Sequence, residues 1–436
     1  MPEHSRDFEI KGQWWLPSDH GNEVSGTLSY HPDTGSELHL IGTFNPPEMP
    51  MGVRMAGDGI YSRIHGRADR KDFTLEGCFQ TNYTGDIETI SVQQIFRGIW
   101  FTEDDEPSAD GVMVDMRYLT QWVGNRGITS ERHTPEKVAE GSPYASLKVQ
   151  QQPTRSVALS NGLTIKLGHR IELPPHTGTE QSFRERYEWH LEFNELIPTS
   201  EAIEHVSDLQ DLVSIATGRV AEYDQLSFRH PGDVADSDGK DRRIQIDFFA
   251  EWIARNTSKK PGIRHAAEMV FTFDELGGIG GIANWMESMS RHRDTLGRVM
   301  ASRYRVGLFV EDRLFHRAVA IEAFGRNRIG NRNVKLSGAL EHCCRLAGDP
   351  FVELVGDTDA WSRIVKSNRD DIGHHLGKRP NQGGGSKHFL AESLYWLYVV
   401  CALRESSAPT AVFERIKKNS EWAWLGPKVR AVVQAG

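Results

Sequence analysis

Two side chains near the carboxy-terminal end of the sequence have types and spacing suited to proton transfer on a charged substrate. Four residues separate Arg369 from His374 within the segment 368–375, which reads NRDDIGHH. A histidine can accept or donate a proton near neutral pH because its unperturbed pKa is about 6.5. A guanidinium stays charged and presents a planar fork of donors that fits phosphate oxygens. This pair therefore predicts a site that moves a proton and stabilises developing negative charge.

The neighbours of this pair supply supporting candidates. Asp370 can orient a histidine as a hydrogen-bond acceptor, or simply cap or solvate the helix. Asn368 lies on the other side of Arg369 in the sequence. His375 competes with His374 because it lies seven residues, about two helical turns, after Asn368. We take His374 as the catalytic candidate. The nearby cations are candidates for binding RNA phosphates, although charged residues on a helix rim are usually only solvated: Lys366, Lys378 and Arg379.

The helix that carries the pair poses a geometric difficulty. The pattern predicts a helix over Ala360 to His375, and residues five apart on an ideal α-helix point about 140° apart. Arg369 and His374 would then not share one face. Gly373 can loosen the turn, and the long arginine side chain gives reach.

Hydrophobic periodicity predicts an α+β multidomain protein. Short alternating segments predict an amino-terminal β-rich domain over residues 1–200, as a sandwich or a barrel. A mixed connecting region follows over 201–302, with a helix at 201–215 and strands at 244–249 and 269–273. Residues 303–436 are predicted to form a helical bundle. The predicted helices are 284–303, 312–324, 336–346, 360–375 and 389–403.

Composition narrows the class of protein. The net charge of −9 argues against an extensive nucleic-acid-binding surface. However, residues 303–436 carry 21 Lys and Arg against 14 Asp and Glu. A basic segment on an acidic body suits local contact with phosphates.

No apolar stretch is long enough for a membrane span, and the first residues do not resemble a signal peptide, so a cytoplasmic location is expected. The four cysteines lack zinc-knuckle spacing and are expected to be buried thiols.

The wider sequence resembles ApeA-type anti-phage proteins, which end in a HEPN ribonuclease domain. An arginine and a histidine separated by four residues within a helical domain is the HEPN pattern. The other segments that carry the resemblance are 14–17 (WWLP), 26–28 (GTL), 99–101 (IWF), 273–276 (FDEL) and 311–315 (EDRLF), with Glu322 seven residues after Phe315.

The resemblance implies a metal-independent endoribonuclease that needs no cofactor and acts in abortive infection. The 2′-hydroxyl of RNA, of the tRNA class by resemblance, would attack the adjacent phosphorus. The products would carry a 2′,3′-cyclic phosphate and a 5′-hydroxyl. Because one motif supplies one histidine, the resemblance implies a homodimer or a higher homo-oligomer. The β-rich domain would restrain the nuclease or sense a phage-derived trigger.

Two alternative functions remain open. The helical domain could be a non-catalytic HEPN adaptor that binds RNA or a partner. The β-rich domain could instead be a ligand sensor that uses Trp14, Trp15 and Trp100, although core packing is the expected role of these aromatics. Glu322 and His316 are likewise expected in core packing or a salt bridge rather than in the catalytic cleft.

Overall fold

A computed structural model describes residues 7–44, 59–84, 87–132, 145–173, 178–179, 181–235, 241–251, 262, 265–305, 307–375 and 384–435. The chain forms two compact units. Unit 1 comprises Met1–Arg117, Asn161–Val206 and Glu222–Lys259, and unit 2 comprises Tyr118–Ser160, Ser207–Ala221 and Lys260–Gly436.

The described residues form fifteen strands and eleven α-helices. The strands are β1 (Phe8–Trp15), β2 (Val24–His31), β3 (Gly35–Ile41), β4 (Ile60–Ala68), β5 (Lys71–Thr84), β6 (Ile87–Val92), β7 (Gln94–Arg97), β8 (Ser108–Met116), β9 (Ile128–Arg132), β10 (Ala145–Val149), β11 (Arg155–Ala158), β12 (Thr164–Glu172), β13 (Arg184–Pro198), β14 (Tyr223–Ala235) and β15 (Asp241–Ala250). The helices are α1 (Leu119–Val123), α2 (Thr199–Thr217), α3 (Gly278–Met289), α4 (Arg293–Tyr304), α5 (Val310–Ile329), α6 (Leu336–Ala347), α7 (Asp349–Val355), α8 (Thr358–Asp370), α9 (Gly384–Glu405), α10 (Thr410–Lys417) and α11 (Ser420–Ala435).

The first six strands of unit 1 close into a barrel. Their order is β5-β4-β1-β2-β3-β6, and β6 pairs back onto β5. All these pairings are antiparallel. Alternate residues point inward, as the two-residue period of a strand requires, so Leu28, Leu38 and Leu75 are fully buried in the core. The prediction of a β-rich domain is confirmed, and a barrel is the form it takes.

A tryptophan packs inside the barrel against β4. Trp14 is fully buried, and a Cβ atom added at Gly66 on β4 would lie 2.1 Å from the Cε3 atom of its ring. Only glycine leaves room for the indole at this position. Trp15 is also buried, so both residues of the pair belong to packed regions of unit 1.

The sheet of unit 1 extends beyond the barrel. From β5 it continues through β7, β15, β14, β8 and β13 to β12. Arg97 on β7 donates to Asp247 on β15, with an Nη2–Oδ2 distance of 2.8 Å, and this ion pair is mostly shielded from solvent.

Unit 2 is built around α9. Nearly every residue from Leu390 to Leu403 is buried, and the helix contacts α5, α6 and α11. Two further contacts fix the packing: the Cβ atom of Ala339 on α6 is 2.7 Å from where a Cβ on Gly325 of α5 would lie, and Trp361 Nε1 donates to Ser393 Oγ at 2.9 Å. The predicted helical region is therefore present.

Two predictions about local structure in unit 2 are wrong. The predicted strand at 269–273 is not a strand, because the N–H groups of Val270 and Phe271 both donate to the carbonyl of Ala216 rather than to a neighbouring strand. The predicted helix at 284–303 is two helices, α3 and α4, divided by a 3₁₀ turn over Ser290–His292. At the break, His292 turns inward against Phe324, with ring centroids 4.5 Å apart.

All four cysteines are buried and free, as expected. Across the described ranges, no helix has both the length and the apolar character needed to cross a bilayer.

Candidate active site

Helix α8 presents one buried face and one accessible face. It begins after Asp357, whose carboxylate accepts hydrogen bonds from the N–H groups of Asp359 and Ala360, both at 2.9 Å. This is an N-terminal cap of the kind aspartate favours. Trp361, Ile364, Val365 and Asn368 form the buried face. The last turn therefore delivers Arg369 beside the core but not inside it.

A π-helical turn over Asp371–His375 directly follows α8. In such a turn the backbone hydrogen bond joins residues five apart, instead of four as in an α-helix. Residues five apart are then brought closer to one face, which reduces the angular separation that an ideal α-helix imposes on Arg369 and His374. Gly373 lies inside the turn, and a Cβ atom there would be 3.3 Å from the ring of Phe315. The structure thus departs from the predicted α-helix at the motif itself.

Arg369 is held by two carboxylates and an aromatic ring. Its Nη1 donates to Asp370 at 3.1 Å, and its Nη2 donates to Glu322 at 3.2 Å. Its guanidinium carbon lies 5.9 Å from the centre of the Phe315 ring. The side chain retains 23% of its exposure, and its Nε has no hydrogen-bond partner among the described residues. The guanidinium is therefore oriented but still reachable.

Asp370 connects two cations. One carboxylate oxygen accepts from Arg369 and the other from Lys366, the latter at 3.0 Å. Burial by itself would raise the pKa of Asp370, but the hydrogen bonds from Lys366 and Arg369 outweigh it and lower that pKa. Asp370 is therefore a charged acceptor that holds Arg369 in place.

Two polar side chains of the segment are buried. Asn368 Nδ2 donates to the carbonyl of Ile364 at 2.9 Å, so this amide is bonded back to its own helix. Asp371 is fully buried, and neither of its carboxylate oxygens has a hydrogen-bond partner within the part of the chain that the structure describes. Both residues belong to the packing side of the motif.

The remaining predicted residues lie on the accessible side or beyond the described residues. His374 is exposed on the π-helical turn. The backbone of His375 lies in the same turn, but its side chain is outside the described residues, as are Lys378 and Arg379. Lys366 is exposed and paired with Asp370.

Glu322 is the residue that sequence reasoning left outside the site. It is buried on α5, and its two oxygens accept from Arg369 and from Arg326, the latter at 2.7 Å. Its seven-residue spacing from Phe315 was the available signal, because residues seven apart lie on one helical face. Both contact Arg369 from that face.

One family comparison identifies the amino-terminal part of the chain. The sequence model of ApeA N-terminal domain 1 matches residues 9–285. The chain belongs to the ApeA family. This membership supports an ApeA-type defence protein and suggests a part in anti-phage defence. No curated protein and no solved structure matches the chain.

The ApeA match ends before the candidate site. It stops within α3, whereas Arg369 and His374 lie on α8 and the π-helical turn. Within the described residues, no group of three or more His, Cys, Asp and Glu side chains is arranged to hold a metal ion.

Unit 2 also contains a second cluster of charges, which we call the Glu392 cluster: Glu392 with Arg303, Arg313 and Arg317. Arg317 is fully buried, and its Nη1 donates to Glu392 at 2.9 Å and to the carbonyl of Ala391 at 2.8 Å. Burial would raise the pKa of Glu392, but Arg317 and Arg303 outweigh it and lower that pKa. Arg317 and Glu392 are enclosed in the helical core, whereas Arg303 and Arg313 each keep 25% of their side-chain exposure.

Proposed function

We propose that unit 2 contains a HEPN-type endoribonuclease site in which Arg369 and His374 act on RNA. One observation carries the proposal: an oriented, accessible arginine is followed two residues later by a π-helical turn that bears an exposed histidine. Turns of this kind are frequent at functional sites, because they insert one extra residue and redirect the side chains around it.

The chemistry follows from the two residue types. Cleavage begins when the 2′-hydroxyl oxygen attacks the adjacent phosphorus and loses its proton to a base. The bond from phosphorus to the 5′-oxygen breaks, and an acid protonates that oxygen. The products are a 2′,3′-cyclic phosphate and a 5′-hydroxyl end. His374 exchanges one of these protons, and Arg369 stabilises the charge on the non-bridging oxygens.

The carboxylates around Arg369 act as positioning groups. Glu322 and Asp370 each take one donor of the guanidinium, which fixes the plane in which a phosphate would meet it. The bound phosphate then competes with these acceptors for the same donors. A site of this design holds Arg369 ready without neutralising it, since Glu322 and Asp370 are also paired with Arg326 and Lys366.

The reaction needs both an acid and a base, while one motif contributes one candidate histidine. We propose a homodimer in which two motifs face a shared cleft. We further propose that the substrate is host RNA of the tRNA class and that cleavage aborts infection after a phage-derived trigger.

The test is cleavage of total tRNA by the full-length protein, without divalent metal and with EDTA present. We compare the wild type with Arg369→Ala and His374→Ala, and use His375→Ala as the matched control. The ends of the fragments are read chemically. We expect cyclic phosphate ends from the wild type and from His375→Ala, and cleavage by the other two variants that is at least about 100-fold slower.

Other results have definite meanings. Cleavage retained by His374→Ala but lost in His375→Ala moves the site by one residue. Cleavage that EDTA stops contradicts the proposed chemistry. Absence of cleavage by the wild type, with and without a phage lysate as a source of trigger, contradicts the nuclease and favours a binding role.

A further inference from the structure

A groove between α4 and α5 of unit 2 has the size and the residues of a ligand site. Its volume is about 670 Å³, within the usual range of small-molecule pockets, roughly 300 to 1,000 Å³. Half-buried Val319 and Ala323 of α5 supply apolar surface, and His316 adds an aromatic ring. Such a surface suits a planar base better than a polar chain.

The groove adjoins the candidate active site through α5. Consecutive residues on a helix point about 100° apart, so Phe315 and His316 lie on neighbouring faces, as do Glu322 and Ala323. The first member of each pair contacts Arg369, and the second lines the groove. Val319 falls between these faces, so the two surfaces are continuous around α5.

The charge of the groove favours an anion. Arg298 and Arg305 line it against a single acidic residue, Asp294. Both arginines are exposed, and neither forms an ion pair with any residue that the structure describes. Arg303, between them in sequence, is instead tied to Glu392 and Glu421. Cations that the protein does not neutralise are available to phosphates.

We propose that this groove binds single-stranded RNA beside the bond that is cut, with Arg298 and Arg305 on phosphates and a base against His316 and Val319. The inference rests on the proposed function and adds a substrate subsite to it. Single-stranded RNA fits because its unstacked bases can pack on aromatic side chains. A duplex keeps its bases stacked inside and cannot offer one to the groove.

The test measures binding and cleavage separately. Binding of a short fluorescein-labelled single-stranded RNA is followed by anisotropy in a series of salt concentrations, and cleavage of the same RNA gives kcat and KM. The variant is Arg298→Glu/Arg305→Glu in the full-length protein. Arg332→Glu, a charge reversal at an exposed position outside the groove, is the matched control. Arg369→Ala is the catalytically inactive comparison, and size-exclusion chromatography reports the oligomeric state.

We expect the double variant to raise Kd and KM by about tenfold or more while kcat stays nearly constant. The slope of log K against log salt should become shallower by about 1.4, because each lost contact to a single strand contributes about 0.7. Arg332→Glu should match the wild type, and Arg369→Ala should bind RNA without cleaving it.

Three results overturn the inference. If the wild type binds and cleaves RNA and the double variant does the same, the groove is not a subsite, although the proposed function stands. If the double variant loses oligomerisation instead of RNA affinity, the groove is an interface between copies. If the wild type neither binds nor cleaves RNA, the proposed function and the subsite both fail.

Discussion

Two clusters of arginine and glutamate in unit 2 use the same residue types in different surroundings. In the Glu392 cluster, Arg317 is fully buried and packed among core side chains. In the candidate site, Arg369 meets Glu322 at a similar distance but keeps 23% of its exposure. A buried pair is costly to break because it leaves an unpaired charge in the core. An accessible pair can exchange one partner for a ligand. Exposure, rather than pairing, distinguishes Arg369 from Arg317.

The largest expected effect comes from removing the accessible arginine. Arg369→Ala should lower the cleavage rate by about 10² to 10³-fold, as loss of a donor to a developing anion does elsewhere. Its melting temperature should fall by only a few degrees, since partly exposed ion pairs contribute about 0 to 1 kcal/mol. Single-turnover cleavage and thermal unfolding of the same preparation check both parts. A variant that unfolds would place Arg369 with the structural arginines.

The next largest effect is on stability rather than on cleavage. Glu392→Gln should destabilise the fold by about 3 to 5 kcal/mol, because it leaves buried Arg317 without its charged partner. Denaturant unfolding with a probe in unit 2 measures the loss. A change below about 1 kcal/mol would show that the cluster does not depend on this charge.

The same substitution has a pH signature. The folded-state pKa of Glu392 is lowered, so its contribution to stability is present above the unfolded-state pKa of about 4.3. That contribution is lost as pH falls through the lower folded-state value. The wild type should therefore lose more stability in acid than Glu392→Gln. Parallel acid-unfolding curves for the two proteins would contradict the ionised buried pair.

Glu322→Gln is the matched substitution at the candidate site, and its effect should be smaller. The amide still accepts a hydrogen bond but carries no charge, so Arg369 is less firmly oriented. We expect cleavage to slow by about tenfold, mainly in kcat, and stability to fall by about 1 kcal/mol. Steady-state kinetics and denaturant unfolding test this expectation. A stability loss as large as that of Glu392→Gln would remove the contrast between the two clusters.

Sequence patterns predicted the helices and strands better than the breaks and connections between them. Alternating strands gave the β-rich domain, and periodic apolar residues gave helices such as α5 and α9, because local burial decides both. The break at Ser290–His292 stayed hidden because Met289 and Leu296 continue a buried pattern across it. The strand predicted at 269–273 is absent because the N–H groups of Val270 and Phe271 donate to the carbonyl of Ala216, not to a neighbouring strand.

The candidate site likewise has residues that the sequence could predict and a geometry that it could not. Arg369 and His374 could be selected from spacing, since both lie within one segment. The π-helical turn could not, because periodicity assumes the α-helical repeat throughout. The approach of Glu322 to Arg369 joins residues 47 positions apart, and only the packing of α5 against α8 brings them together. Long-range contacts of this kind leave little trace in one sequence.

The smallest expected effect concerns Lys366→Ala. The Lys366–Asp370 pair spans one helical turn and is largely exposed, so its loss should cost only about 0.3 kcal/mol. Asp370 keeps its hydrogen bond from Arg369, which limits the loss further. Arg345→Ala breaks a more exposed pair of the same spacing, with Glu341, and is the control.

The pH dependence of that effect gives the sharper measurement. The lowered pKa of Asp370 keeps the pair ionised from neutral pH to below about 3.9, the ordinary aspartate value. The difference in unfolding free energy between wild type and Lys366→Ala should therefore persist down to that range and vanish as Asp370 is protonated. If the rise in KM for RNA, converted to a free energy, is larger than this small loss of unfolding free energy, Lys366 binds phosphate. An unchanged KM would leave it as a solvated partner of Asp370, and the contrast between the two arginine clusters would then rest on Arg369 alone.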